Sequence, residues 1–324
     1  MKCAEEVLSR SPSVACGDSS LPEGAFDKVE VKVFFLLLLT SGAFCTIIVT
    51  KETISGAIRT HRNGAIMLKL TLFNLALLAI IAALLFVVKK TARTDRARNV
   101  WLLVAAVVTI LFHYSELIFR CITASGAIEY LKDNPNLILP IYPCNVVMWS
   151  CLILALTKKD TKAGKLLIDY VFWFGIFSTL IGMFANVDFI LNPTLADYTN
   201  VKSIGAHATL LFNVLMLPVF KMIRFDFWQN MKHMTISVVG MYLIGLYCNL
   251  VYRVMISDAA AYDVNSMFII HSPFEGVEFL KYPIIAVIGL VLYCILFFVC
   301  ELIAYKKGER FYDRFFRSLK EKRK

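Results

Sequence analysis

Four short stretches of this chain place reactive or ionisable side chains among apolar neighbours. The first, "FHYSELIFR", carries His113, Glu116 and Arg120 at steps of three and four, so all three fall on one helical face. They form either a mutually satisfied structural ladder or a face that binds or reacts. The second, "LPIYPCNVVMW", sets Cys144 and Asn145 just after Pro140 and Pro143. Prolines remove backbone donors, and an irregular backbone at membrane depth is tolerated only where protein or water covers it. A cysteine there is either packing or chemistry. The third, "SIGAHATLLFN", surrounds His207 with Gly205, Ala206 and Ala208, small residues that permit close helix approach. Its imidazole either bonds a backbone carbonyl or takes part in a site. The fourth, "YCNLVYRVMISD", adds Asn249 and Arg253 one turn apart. His113 and Glu116, with His207 and His271, also offer ligand types that suit divalent ions. Their spacing is common by chance, and no metal is assigned.

The elements that must position these residues are set by composition. Of 324 residues 58% are hydrophobic and only 18% charged, with a mean hydropathy of +0.67. A soluble domain is about 45–50% apolar and about 25% charged, so a soluble enzyme is excluded. The apolar residues come in blocks long enough to span a bilayer, which takes about 20 residues each. Eight qualify: 33–50, 64–88, 99–124, 136–157, 165–190, 202–223, 235–257 and 280–304. They are too long for barrel strands. The fold class is therefore all-α, a polytopic membrane helix bundle of about eight transmembrane helices. It divides into a polar leader at 1–32, the bundle at 33–304 and a basic amphipathic tail at 305–324. In the tail Phe311, Phe315 and Leu319 recur every four residues among basic ones, a pattern suited to an anionic lipid surface. Nine cysteines include no CxxC pair, so neither a zinc ribbon nor a redox motif is indicated.

Charge then gives an orientation. The chain has 34 Lys and Arg against 24 Asp and Glu, a net charge of +10. No nucleic-acid motif accompanies that excess, and nucleic acid is not an expected partner. Most of the basic residues cluster in the leader, the second, fourth and sixth connections and the tail. Only Lys51, Arg59, Arg62, Lys132, Lys202 and Lys281 fall in the remaining connections. Cytoplasmic loops carry the Lys and Arg excess, so both termini are expected in the cytoplasm. On that orientation Glu116, Arg120, Asn186, Asp188, Asn249 and Arg253 lie toward the outer ends of their helices. Cys144 and His207 lie about 12 Å and 8 Å in from the outer starts of theirs, at 1.5 Å per residue. The inner halves are almost purely apolar. The pattern predicts one polar cavity opening outward. Ionisable groups in spanning helices are costly, so each is a functional candidate by default.

The segments "LPIYPCNVV" (139–147), "IGAHATLLFNVLMLP" (204–218) and, after Asn249, "VNSMFIIHSP" (264–273) resemble, in order and spacing, those of the YwaF-like family of integral membrane proteins, which includes transmembrane protein 164 of animals. The resemblance covers roughly residues 65–305. It implies a lipid acyltransferase or transacylase with a cysteine nucleophile and a histidine, which by position are Cys144 and His207, and with no cofactor. The bacterial signature has His two residues before the Cys, where this chain has Tyr142. The animal segment has His directly after it, where this chain has Asn145. His207 is thus the principal base, taking the thiol proton as in other Cys–His pairs. Arg120 or Arg253 would hold a lipid phosphate, and Asn145 or Asn249 would stabilise the oxyanion. His113 and Glu116 complete the supporting set. The expected partners are membrane phospholipids or lysophospholipids. The alternatives are a small-solute or ion transporter, to which charged residues in helices and two prolines breaking one helix point, or a non-enzymatic membrane protein.

Overall fold

The computed structural model describes residues 60–184, 194, 197–255, 264–272, 279–305 and 309–321. The expected span at 33–50, the polar leader, and Asn186 and Asp188 lie outside the described residues. Those described form helices α1 (Thr60–Thr91), α2 (Asp95–Ile122), α3 (Ala127–Asp133), α4 (Pro143–Leu156), α5 (Lys162–Phe184), α6 (Tyr198–Val219), α7 (Phe227–Met255), α8 (Tyr282–Ala304) and α9 (Phe311–Glu321), with no strand among them. Among the described residues six helices are long and apolar enough to cross a membrane: α1, α2, α5, α6, α7 and α8.

Helix ends follow local chemistry. Thr94 caps α2 by accepting from the Ala97 N–H at 3.2 Å, and Asp197 caps α6 by accepting from the Thr199 N–H at 2.9 Å; both satisfy donors a helix start leaves orphaned. Pro218 lies next to the last residue of α6, ending the helix rather than interrupting it. The turn after it places Lys221 at φ 57°, so the chain reverses into α7.

The stretch expected as a span at 136–157 is built differently. A 3-10 turn at Pro135–Leu137 comes first, then an irregular segment, and α4 is only 14 residues long. At 1.5 Å per residue that is about 21 Å, short of the roughly 30 Å hydrocarbon core. The cause is the proline pair. Residues before proline are pushed out of the helical region, and Tyr142 duly has φ −109° and ψ 153°. Pro143 then occupies the first helical position, where its missing N–H costs nothing.

Burial separates inner from outer helices. In α5 and α6 61% and 56% of the apolar window is buried, against 22% in α1 and α8, so α5 and α6 are the axis on which the rest pack. Trp173 of α5 is fully enclosed, its ring 5.1 Å edge-on from Tyr293 of α8 and 6.1 Å from Phe225. At the other end of the bundle α2 and α6 approach closely. Asn213 of α6 donates to Thr109 of α2 at 3.1 Å, and a side chain on Gly205 would press on Phe112, 3.2 Å away. This register brings His113 and His207 to one place.

The inner halves, read as almost purely apolar, hold one buried polar pair: His233 of α7 meets Asp169 of α5 at 2.6 Å. Asp169 stands two turns into its helix among apolar neighbours, and its partner is 64 residues away, a link that spacing along the chain does not reveal.

Candidate functional site

A cavity of about 220 Å³ lies between the start of α4, the start of α6 and the last turns of α2. Its walls carry His113, Cys144, Asn145 and His207 together with Tyr130, Lys202 and Ser203; Thr109, Met148 and Leu210 also line it. Four of the sequence-derived candidates thus share one space.

Cys144 is the second residue of α4, one position after Pro143. Its thiol therefore stands in the first turn of the helix, beside the N–H groups of the helix start. Aligned peptide dipoles there favour negative charge. Burial of a thiolate is costly, and the helix start is the feature of this wall that opposes the cost. The position itself is fixed from the opposite side of the chain. The Ile141 carbonyl accepts from the Met267 N–H at 2.9 Å and from Ser266 Oγ at 3.0 Å. Ser266 is in turn clamped by Asn249, whose Oδ1 accepts its N–H at 2.8 Å and whose Nδ2 donates to its carbonyl at 3.4 Å. Met267 and Phe268 take φ near 54° and 56° to make these contacts, a strained geometry for residues with a Cβ.

His207 has a defined tautomer. Its Nδ1 is 2.8 Å from the Ser203 carbonyl, and a carbonyl only accepts, so Nδ1 carries the proton and Nε2 is the basic nitrogen. The ring lies against Gly182 of α5 so closely that a Cβ there would fall within it. Gly182 is the residue that makes room for the imidazole. His113 Nε2 faces both the Asn136 carbonyl at 3.3 Å and Asn145 Nδ2 at 3.5 Å, an acceptor and a donor, so either tautomer finds a partner. Asn145 itself is oriented: its Oδ1 accepts the Tyr142 N–H at 3.2 Å, which turns Nδ2 toward His113.

The ladder on α2 divides. Glu116 and Arg120 pair at 2.9 Å, but His113 turns to Asn136 and Asn145 instead of joining them. Glu116 also accepts from Tyr130 Oη at 2.8 Å and Lys202 Nζ at 3.0 Å. Lys202 donates to Tyr130 Oη at 2.6 Å, and the Arg120 guanidinium stacks over the Tyr130 ring at 4.5 Å. Of this cluster Tyr130 and Lys202 line the cavity, and Glu116 and Arg120 do not. Sequence reasoning missed Lys202, Tyr130 and Ser203. Thr199, Ser203 and His207 repeat every four residues on α6, a polar stripe that could have been read.

Other candidates are elsewhere. Asn249 is engaged with Ser266 and does not line the cavity. Arg253 is exposed on α7, and His271 is exposed in the segment after Ser266; neither lines it. Among the described residues no group of three or more His, Cys, Asp and Glu is placed to hold a metal ion.

Residues 59–301 match the TMEM164 family. No curated protein and no solved structure matches the chain.

Proposed function

The chain belongs to the TMEM164 family of membrane proteins, and from that premise we propose that it is a cysteine-dependent phospholipid acyltransferase or transacylase, related also to the YwaF-like proteins. The observation that carries the reading is the shared cavity wall: Cys144 at a helix start, His207 with its basic nitrogen defined, and the Asn145 amide beside them. His207 takes the Cys144 proton, and the thiolate attacks the ester carbonyl of a phospholipid. The Asn145 Nδ2–H is the donor nearest the developing oxyanion. The tetrahedral intermediate expels the lysolipid alkoxide, which recovers the proton from His207, and leaves an acyl-thioester on Cys144. A lysolipid hydroxyl, or water, then attacks that thioester with His207 again as base, releasing the new ester or a free fatty acid. Lys202 on the cavity wall, linked to Arg120 through Glu116, carries the positive charge that a phosphate diester needs.

Asn249 acts one step back, by holding the segment that fixes the start of α4. His113 orients Asn145. The proposal keeps eight spanning segments with both termini cytoplasmic, which puts the cavity in the outer leaflet half, and an α9 that lies on an anionic inner leaflet with exposed Phe315, Phe316 and Leu319.

The test is acyl transfer by the purified, reconstituted chain between a defined phospholipid and a lysophospholipid, followed by mass spectrometry. Cys144→Ala is expected to abolish transfer and His207→Ala to lower it at least a hundredfold, the scale of a lost general base. Transfer that survives Cys144→Ala removes the nucleophile. Solute uptake lost on Glu116→Gln, without acyl transfer in the native chain, would favour the transporter reading.

A further inference from the structure

One wall of the Cys144 cavity is a strap and not a spanning helix. Residues 127–142, made of α3, the 3-10 turn and the irregular stretch after it, contribute Tyr130, Asn134, Asn136, Leu137 and Tyr142 to the lining. The strap is lightly seated: from 127 to 137 only Leu137 is buried. Hydrogen bonds tie it to the helices around it. Tyr130 Oη donates to Glu116 at 2.8 Å, Tyr114 Oη to the Leu137 carbonyl at 3.0 Å, and Tyr252 Oη to the Lys132 carbonyl at 3.3 Å. Segments with few buried apolar contacts are the ones that open first. The strap leaves α2 through a left-handed turn at Ala124 and Gly126, φ 51° and 65°. It is pinned again at Ile141, by Ser266 and Met267.

Size makes an opening necessary. The cavity holds about 220 Å³, less than the roughly 300–1,000 Å³ that encloses a drug-sized ligand, and a phospholipid is larger still. The latch also lies where a lipid phosphate would bind. Lys202 Nζ donates to Tyr130 Oη at 2.6 Å and to Glu116 at 3.0 Å, so the lysine on the cavity wall is also a tie of the strap.

Taking its substrate from the acyl-transfer reading, we propose that residues 127–137 are a lid opened by the phosphate diester of the incoming lipid. Lys202 passes from Tyr130 to a phosphate oxygen, Tyr130 loses one of the partners that hold it, and the strap swings away from the cavity. Charge-assisted bonds to phosphate are stronger than those to a neutral hydroxyl, which sets the direction of the exchange. A lid that recloses excludes water from the reaction, and here it protects the acyl-thioester from hydrolysis.

The experiment is hydrogen–deuterium exchange of the full chain in dodecyl maltoside micelles, read by mass spectrometry on peptides that cover 127–137 and on peptides from α5. The chain is compared in micelles alone, with a diether phosphatidylcholine, and with the matching dialkylglycerol, which lacks the phosphate. Neither lipid has an ester, so the result does not depend on whether Cys144 transfers acyl groups. In the native chain the amides of 127–137 should exchange much faster than those of α5. The diether phosphatidylcholine should speed them further, and the dialkylglycerol should not. Tyr130→Phe should raise their exchange about tenfold in micelles alone, the scale of one hydrogen bond to a charged group, and remove most of the response to phospholipid. Tyr252→Phe should also loosen the strap yet keep that response, because it touches neither Lys202 nor Glu116. Exchange at 127–137 as slow as in α5 overturns the lid, and so does an equal response to the two lipids or an undiminished one in Tyr130→Phe. Phospholipid-driven opening in a chain that shows no acyl transfer keeps the lid and removes only the reaction.

Discussion

At the scale of single residues, the reading rests on side chains whose neighbours define what they can do. His207 is a base at Nε2 because Ser203 occupies Nδ1, and its ring is seated because Gly182 offers no side chain. Gly182→Ala should displace the imidazole. We expect a loss of stability of about 1–3 kcal/mol, the usual cost of overpacking, and a fall in acyl transfer that Cys144 labelling does not share. Unchanged transfer by Gly182→Ala would mean that this ring position is not the working one. Cys144 and His207 were legible in the sequence as polar residues amid apolar helices, and the resemblance paired them. Lys202, Tyr130 and Gly182 were not. Lys202 and Tyr130 meet only across 72 residues, and Gly182 matters only through a ring on another helix. Such contacts belong to packing and leave no periodic trace.

At the scale of elements, the decisive feature is the short α4. The proline pair announced an irregularity, but only the structure shows its form: a helix begun at Pro143, so that Cys144 stands in its first turn. The segment at 264–271 is what holds that start in place, through the bonds to Ile141. Of the two asparagines offered for the oxyanion, Asn145 and Asn249, Asn249 is bonded to Ser266 of this segment. Asn249→Ala leaves the buried Ser266 N–H without its partner. It should lower stability by about 1–3 kcal/mol and reduce kcat more than KM, because α4 loses its support while the charged cluster of Glu116, Arg120 and Lys202 remains. Thermal unfolding and steady-state kinetics check the two parts. A rise in KM alone would point instead to direct contact with substrate. A second test concerns the buried link between α5 and α7. Asp169→Ala removes the carboxylate that His233 bonds, and leaving a buried hydrogen-bonding group without its partner costs about 1–3 kcal/mol. A drop in unfolding temperature without loss of the Cys144 cavity chemistry at low temperature is the expected result.

At the scale of the whole molecule, hydropathy carried most of the fold. The described spans overlap those expected from α1 onward, because about 20 apolar residues at bilayer depth have few alternatives to a helix. Composition could not show which helices are central. That follows from burial on two sides, which accompanies a lower mean hydropathy in α5 and α6, 1.7 and 1.2, than in α1 and α8, 2.7 and 2.8. Nor did it show that Asp169 and His233 meet inside the bundle at the end where the basic connections lie. The excess of Lys and Arg still predicts a direction. Both termini should be protected from an added protease in sealed vesicles of native orientation, and termini on opposite sides would remove the outer-leaflet placement of the first cavity. In α9, Phe311 is anchored to the bundle, its N–H bound by Glu301 at 2.8 Å and its ring 4.7 Å from Phe227, while Phe316 is 59% exposed. Phe315→Ser with Phe316→Ser should weaken association of an isolated tail peptide with anionic vesicles, since buried apolar area sets that affinity.

The most direct test of the central claim is a covalent one. The reconstituted chain is mixed with phospholipid, quenched in acid, and digested for peptide mass spectrometry. The account predicts one fatty-acyl mass on the peptide that contains Cys144, released by hydroxylamine as a thioester should be and absent from Cys144→Ser digests in hydroxylamine-sensitive form. Acyl transfer that proceeds while the Cys144 peptide stays unmodified, or an adduct that forms on another residue, would contradict it.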